Sequence, residues 1–419
     1  MTPDRLSAGS PRVFFANRFY APDHSATAQM LTDVAEGLAA RGHRVQVVAS
    51  RMIYDDPATR LAAREDISGV KVVRVATTRF GRAGLAGRAL DYASFYASGF
   101  VSILIDARRG DLVVIKTDPP LLSVPLGLAA RLKGAKVVNW LQDIFPETAQ
   151  ELGVKLARGP VGRLAAAARN RSLAAAARNV VIGARMAERV QAFGAPEASI
   201  VQIPNFCDDV AIRPLAAADN PLRAAWGFGP EDFVVGYSGN LGRAHDIATL
   251  LGAAEALKDT PQIRFLFIGG GHLRAELDAE AAKRGLTSII TRPYQPRDQL
   301  RLSLCVPDVH WASLLPPLEG LILPSKLYGI AAAGRPLLMV GDPDGDIGRI
   351  IRTHGFGAAV PVGAAAAFAA RIQAWKAAPE EVLRMGARAR AYIETQASRA
   401  LVLDLWTGLI EDVLARREV

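Results

Sequence analysis

The chain has 419 residues, half of them hydrophobic and 22% charged, with two cysteines and a sequence pI near 9.7. High apolar content with dispersed charge excludes general disorder, and the length suggests two or three domains, each with its own core. Cys207 and Cys305 lie too far apart, and too alone, for a disulfide scaffold or a Cys/His zinc site. The stretch from Met1 to Pro11 carries Asp4 and Arg5 and no apolar run, so the chain reads as cytoplasmic.

The charge is uneven. Residues 1–205 hold 27 Lys and Arg against 17 Asp and Glu, a net of +10, whereas residues 206–419 carry a net of −1. An excess confined to one half suggests an anionic surface facing it: nucleic acid, acidic lipid or a phosphorylated substrate. An Arg- and Ala-rich compositional style would raise the pI in the same way.

In chain order, Val13-Phe14-Phe15-Ala16 reads as a strand, and a helix is predicted over 25–41, with Ser25 or Asp23 as cap and Gly42 as stop. Strands follow at 45–49, 70–75 and 112–115, then a helix at 121–132 and strands at 135–140, 180–182 and 200–203. Apolar, β-branched strands alternating with helices specify a doubly wound parallel sheet. The Pro/Asp/Ala stretch 204–221 reads as a linker. The pattern then restarts: strands at 233–237, 263–268, 288–290, 309–312 and 336–340, with helices at 246–257, 273–284 and 325–333. Two α/β domains are expected, 1–205 and 206–397, facing a central cleft at their strand ends, with a last helix over about 398–416 returning to the first.

Two stretches point to chemistry. Gly269-Gly270-Gly271, between a strand and a helix, can offer backbone N–H groups to a phosphate, although a tight strand-to-helix turn would use the same glycines. In the run Leu318-Glu319-Gly320-Leu321-Ile322-Leu323-Pro324-Ser325-Lys326, an acid sits among apolar residues, where a surface role would not place it. Pro324, Ser325 and Lys326 open a helix; free N–H groups, a hydroxyl and an ammonium suit a diphosphate. The Glu319 carboxylate suits a sugar diol, since it accepts two hydrogen bonds.

These stretches, with Phe19-Tyr20-Ala21-Pro22-Asp23, Thr117-Asp118-Pro119-Pro120, Gln142-Asp143-Ile144-Phe145-Pro146-Glu147, Gly236-Tyr237-Ser238-Gly239-Asn240-Leu241-Gly242 and Phe267-Ile268-Gly269-Gly270-Gly271, span most of the chain. In order and spacing the chain resembles GT-B glycosyltransferases of family 4, in the branch of colanic acid and O-antigen sugar transferases. The resemblance implies retaining transfer from a nucleotide sugar, usually a UDP-sugar, to a lipid-linked or polysaccharide acceptor, with no bound metal or other cofactor. It places the donor on the second domain, with Gly239, Asn240, Gly269, Gly270, Gly271, Tyr294, Gly320 and Ser325 around it. Glu319 matches the first Glu of the family's Glu-x7-Glu motif. The second falls at Leu327 or Gly329, so the ribose carboxylate is missing.

Asn240 stands where the family carries Arg, with Arg243 and His245 close behind as replacement cations; Arg243 and Lys326 are expected to balance the leaving diphosphate. On the first domain, Asp143 follows a strand and matches a polar position near the transferred sugar, with Glu147, His24 and Ser25 assigned to the acceptor. Glu147 also fits an ordinary helix-start acid, and His24 an ordinary cap.

Residues Arg79 through Arg88 lead into 92–105, fourteen uncharged residues, too short to span a bilayer but suited to a buried or an interfacial helix. Residues 155–189 hold eight basic residues against the single acid Glu188, with Arg163, Arg169, Arg171 and Arg178 among alanines in two predicted helical pieces. They form an expected peripheral contact with an anionic membrane. Nucleic acid is not expected as a partner, because aromatics do not interleave the basic residues. A nucleotide-sugar epimerase on the same fold, or a non-catalytic nucleotide- or nucleic-acid-binding module, are the competing readings.

Overall fold

The computed structural model describes residues 10–54, 56, 58–80 and 84–416. The readings made on Met1 to Gly9 and on Arg82 lie outside the described residues. The chain divides into two compact units: one runs to Pro204 and resumes at Val402, and the other is Asn205–Leu401.

The first unit opens with β1 (Arg12–Ala16), α1 (Ala26–Ala40) and β2 (Arg44–Ser50), then β3 (Arg64–Ile67), β4 (Val70–Val75) and α2 (Leu85–Asp106). It continues through β5 (Leu112–Lys116), α3 (Ser123–Leu132), β6 (Lys136–Trp140), α4 (Glu147–Glu151), α5 (Pro160–Ala174), β7 (Arg178–Val181), α6 (Ala184–Ala192) and β8 (Ile200–Gln202). The sheet order is β3-β4-β2-β1-β5-β6-β7-β8, parallel except for β3. Val13, Phe14, Phe15, Val113 and Val114 are fully buried, as strands covered on both faces require. The winding reverses between β1 and β5, so the loops leaving these two strands diverge and open a crevice at the carboxyl edge.

The second unit contains α7 (Pro221–Ala225), β9 (Phe233–Ser238), α8 (Ala248–Ala256), β10 (Ile263–Ile268), α9 (Arg274–Lys283), β11 (Ile289–Arg292) and α10 (Leu300–Leu304). It goes on through β12 (Val309–Ser313), α11 (Lys326–Ala332), β13 (Leu337–Val340), α12 (Asp346–Thr353), β14 (Gly357–Val360), α13 (Ala365–Lys376) and α14 (Pro379–Tyr392). Its sheet, β11-β10-β9-β12-β13-β14, is wholly parallel, with its own reversal between β9 and β12.

The last helix, α15 (Arg399–Ala415), joins the first unit from Val402 onward. Its Trp406, 1% exposed, packs 4.5 Å from Trp140 of β6 and 6.3 Å from Phe15 of β1. Lys136 donates to the carbonyl of Val413 at 2.7 Å, and Arg178 pairs with Asp412 at 2.8 Å.

Residues 155–189 hold the two expected helical pieces, α5 and the start of α6, but Arg178 lies on β7 between them. Two of their arginines are internal: Arg169 is 6% and Arg178 9% exposed, and both are ion-paired within the unit. The uncharged run 92–105 lies within α2, which is amphipathic rather than sealed: Phe95 and Ile103 are buried while Val101 and Ile105 are exposed. Among the described residues no helix is long and apolar enough to cross a membrane.

Candidate active site

The second unit gathers its polar side chains where β9 and β12 diverge. The loop after β9 is laced to the loop after β10 by backbone bonds: Gly239 N–H to Ile268 O at 2.9 Å and Leu241 N–H to Gly270 O at 2.7 Å. The closeness demands glycine. A Cβ on Gly269, whose φ is +128°, would fall 2.4 Å from the Gly239 carbonyl oxygen. The expected phosphate cradle is corrected in part: the Gly269 N–H is committed to Arg292 O at 2.9 Å. Tyr294, 59% exposed, lays its ring against Gly269 and Gly270.

Lys326 begins α11 and reaches back over this loop, 5.0 Å above the Tyr237 ring, with its Cε 3.0 Å from where a Gly239 Cβ would stand. Its Nζ lies 3.4 Å from His245 Nε2. His245 Nδ1 lies 2.6 Å from the Ser313 carbonyl, which needs a donor, so Nδ1 carries the proton and Nε2 presents its lone pair to the ammonium. Burial first, and the Lys326 charge second, push the imidazole down to about 4, so it is neutral. This rules His245 out as a replacement cation. Burial also draws Lys326 down to about 8. Among the described residues, no carboxylate pairs with Lys326. Arg243 is exposed, without a hydrogen bond or ion pair among the described residues, and Asn240 is also exposed, its carbonyl accepting the Tyr237 hydroxyl at 2.8 Å.

Glu319, 9% exposed, sits at the start of α12: its Oε2 accepts the Asp346 N–H at 3.3 Å, and its carboxylate lies against Gly345, where a Cβ would fall 2.3 Å from Oε1 and displace it. Gly320 follows with φ +74°. Ser325 caps α11 by backbone position, and its hydroxyl makes no capping bond. Leu327, at the spacing of the missing second Glu, is fully buried in the core.

In the first unit the carboxyl edge around β5 and β6 collects Asp143 with two titratable groups that the sequence reading left without a role, Lys116 and Asp118. Lys116, the last residue of β5, has no exposed surface; its Nζ donates to Thr27 O at 3.1 Å and stands 3.8 Å over the Trp140 ring. Asp118 and Asp143 follow β5 and β6, and both carboxyls are pushed up to about 6, chiefly by burial. Lys116 is driven down to about 7 by its own burial. The signal was a lysine closing the otherwise apolar run Leu112-Val113-Val114-Ile115, just before Thr117-Asp118.

Of the expected acceptor residues, Ser25 and His24 lie in the loop after β1. The Ser25 hydroxyl donates to Asp23 at 2.5 Å, and the exposed His24 gives its carbonyl to Gln29. Glu147 is instead held by the buried Arg169 at 2.5 Å, at the first position of α4. That ion pair uses one oxygen, and the other is sealed from solvent, so the acceptor role assigned to Glu147 gives way to a structural one. Among the described residues no three His, Cys, Asp or Glu side chains gather as a metal site.

Two doubly wound units, the second with a cation and a carboxylate at its switch point, define a GT-B glycosyltransferase. Consecutive family models match the chain: the glycosyl transferase 4-like domain over residues 25–205 and glycosyl transferases group 1 over 219–392. The chain belongs to the family-4-type GT-B glycosyltransferases. It is 26% identical over 345 residues to WcaI of Escherichia coli (strain K12), named as a colanic acid biosynthesis glycosyl transferase, covering 80% of this chain and 84% of that one. In fold it is similar to sucrose-phosphate synthase from Thermosynechococcus elongatus (TM-score 0.78, 16% identity, 97% of this chain and 100% of that one). It is also similar to Anabaena HepE in complex with UDP-glucose (TM-score 0.70, 15% identity, 96% and 99%).

Proposed function

We propose that this enzyme moves a sugar from a nucleotide sugar, a UDP-sugar, to a lipid-linked or oligosaccharide acceptor in bacterial polysaccharide assembly, with retention at the anomeric carbon. The observation that carries this reading is Lys326: a sheltered ammonium at the β9/β12 divergence, beside a neutral imidazole and an aromatic face and with no carboxylate paired to it among the described residues. Such a cation lacks an anion, and a departing nucleoside diphosphate supplies one as its negative charge develops. Glu319 accepts hydrogen bonds from donor-sugar hydroxyls. The UDP-glucose bound by HepE and the colanic acid naming of WcaI support the donor and pathway class.

In front-face transfer the acceptor oxygen bonds to the anomeric carbon as the bond to the diphosphate oxygen breaks. The acceptor's proton passes to that leaving phosphate oxygen, so no separate base is required. Asp143 accepts a hydrogen bond from a sugar hydroxyl at the first unit's carboxyl edge.

Incubation with a panel of nucleotide sugars and lipid-linked acceptors tests the reading. Transfer releases nucleoside diphosphate with an axial-to-axial or equatorial-to-equatorial product, whereas an epimerase leaves the donor's nucleotide linkage intact and a binding module changes nothing. Peripheral membrane contact belongs to the same proposal. On α5 and the turn before it, Leu156, Val161 and Leu164 are 57–70% exposed beside the exposed Lys155, Arg163 and Arg171, an apolar strip with a basic border.

A further inference from the structure

Neither the donor site nor the strip on α5 uses the basic residues at the exits of β2 and β4. Ser50 at the end of β2 pairs with Val75 at the end of β4, so the chain leaves both strands side by side, as Arg51 and as residues 76–80. Arg51 and Leu61 then close a loop on each other. The Leu61 N–H donates to the Arg51 carbonyl at 3.0 Å, and Arg51 Nε donates to the Leu61 carbonyl at 2.9 Å. That closure returns Arg60 to the strand ends. Three separate segments thus send Arg51, Arg60 and Arg79 into one pocket of about 370 Å³, with Thr77, Thr78 and Phe80 in its lining. The volume suits a small ligand group.

Three guanidiniums around one pocket repel one another, and a purely structural cluster would set an acid among them. The described acids of the neighbouring elements are spent elsewhere. Asp56 accepts the Ala58 and Thr59 N–H groups, Glu65 is paired with the buried Arg74, and Asp66 takes the Gly69 N–H. Asp91, fully buried on α2, accepts from Arg18, from the Thr78 hydroxyl at 2.8 Å and from the Phe80 N–H at 3.0 Å. It therefore fixes the segment that carries Arg79 and does not line the pocket. Among the described residues, Arg60 and Arg79 make no hydrogen bond or ion pair, and Arg51 spends only its Nε. Arginine keeps its charge at any working pH, and its planar fork matches two oxygens of a phosphate.

The pocket lies at the same carboxyl edge as the loop of His24 and Ser25, across the order β4-β2-β1. At a strand spacing of about 4.8 Å the two are roughly 5–10 Å apart. Asp23 ties them together, taking the Ser25 N–H at 2.8 Å and the Tyr54 N–H at 2.5 Å. The Phe19 and Tyr54 rings meet edge to face at the same junction, 5.4 Å apart. At the rim, Phe80, 57% exposed, sits against Gly87 of α2, where a Cβ would fall 2.6 Å from the Phe80 Cβ. Leu90, 52% exposed, follows on the same helix face. The pocket thus adjoins the expected acceptor loop through Asp23 and an apolar step through Phe80.

We propose that this pocket binds the pyrophosphate of a lipid-linked acceptor, with Arg51, Arg60 and Arg79 on its oxygens and Phe80 and Leu90 against the first carbons of the lipid. Three fixed positive charges match the several negative charges of a pyrophosphate better than the single one of a bilayer phosphodiester. The inference rests on the acceptor class proposed above and names the group by which that acceptor is recognised.

Calorimetric titration of the full chain with inorganic pyrophosphate and with octyl pyrophosphate tests it, since neither probe presumes a sugar. The comparison is made in Lys326→Met, so that the donor-site cation does not supply the binding. Arg60→Gln with Arg79→Gln, both at exposed positions, should weaken each probe about tenfold or more. Octyl pyrophosphate should bind more tightly than inorganic pyrophosphate, and Phe80→Ser should erase that margin. A doubly substituted protein that binds both probes like its parent overturns the proposal. So does one that keeps both probes and loses only anionic vesicles, which assigns the arginines to bilayer headgroups. If the probes behave as expected and no lipid-linked acceptor is glycosylated, the acceptor class fails and the anion pocket stands. If such acceptors are glycosylated and the probes do not distinguish the variants, the pocket fails alone.

Discussion

At the scale of single residues, the donor site shows a cation that has changed element. The resemblance places basic residues after β9; here Asn240 and a neutral His245 occupy that loop, and in the proposed reading the charge comes from Lys326 at the start of α11. Lys326→Met should lower kcat by ~10²–10³, the typical loss for one fixed donor to a developing oxyanion, and Lys326→Arg should recover part of it. Because burial holds the empty-site Lys326 near 8, kcat/KM should fall as pH rises above 8, where the free enzyme loses the ammonium. A flat profile from pH 7 to 9.5 would count against Lys326. Glu319 carries two duties that variants separate. Glu319→Gln keeps an oxygen for the Asp346 N–H and should preserve stability while reducing activity. Glu319→Ala should lose most activity and also ~1 kcal/mol at the α12 N-terminus, read by urea unfolding. Lys326 and Glu319 were legible because an acid and a lysine among apolar residues are conspicuous. Whether Arg243 or His245 faced the site was not, since that depends on a turn whose direction is set by backbone bonds to a different strand.

At the scale of elements, the strands that carry the site were readable because burial on both faces writes them as apolar runs. β3 was missed because Arg64-Glu65-Asp66 is polar on an exposed edge, and β14 because Gly357-Ala358-Ala359 is too small to mark a strand. The Gly-rich turn was read for phosphate, yet its geometry serves loop contact. Gly269→Ala should therefore cost about 1–3 kcal/mol in stability from the left-handed backbone alone, with further loss from the clash, before any effect on donor affinity. Calorimetric unfolding and nucleotide titration separate the two. For α5, vesicles containing anionic phospholipid should bind the protein and release it as salt rises. Leu164→Glu with Arg163→Glu should abolish binding; a doubly substituted protein that binds as before would move the contact elsewhere.

At the scale of the whole molecule, the +9 net charge resolves into a basic first half and a near-neutral second half, and part of the basic excess turns inward. The first unit also carries the cost of a buried lysine and two partly buried acids. Asp118 and Asp143 bind protons more tightly folded than unfolded, so their stabilising contribution is complete below pH 3.8 and is lost as pH rises through about 6. Lys116 does the reverse, its penalty relieved as pH climbs from about 7 to 10.5. Urea unfolding of the full chain should show both limbs, the first absent in the Asp118→Asn, Asp143→Asn double variant. Trp406→Ala should cost ~3–5 kcal/mol, because it empties the pocket against Trp140 and Phe15.

The route of α15 sets an order of construction. Lys136 of β6 waits for the carbonyl of Val413, 277 residues further along the chain. On the ribosome the second unit is therefore complete first, while β6, already synthesised, still lacks the helix that covers Trp140. The amino-terminal unit, first to emerge, is the last to be finished.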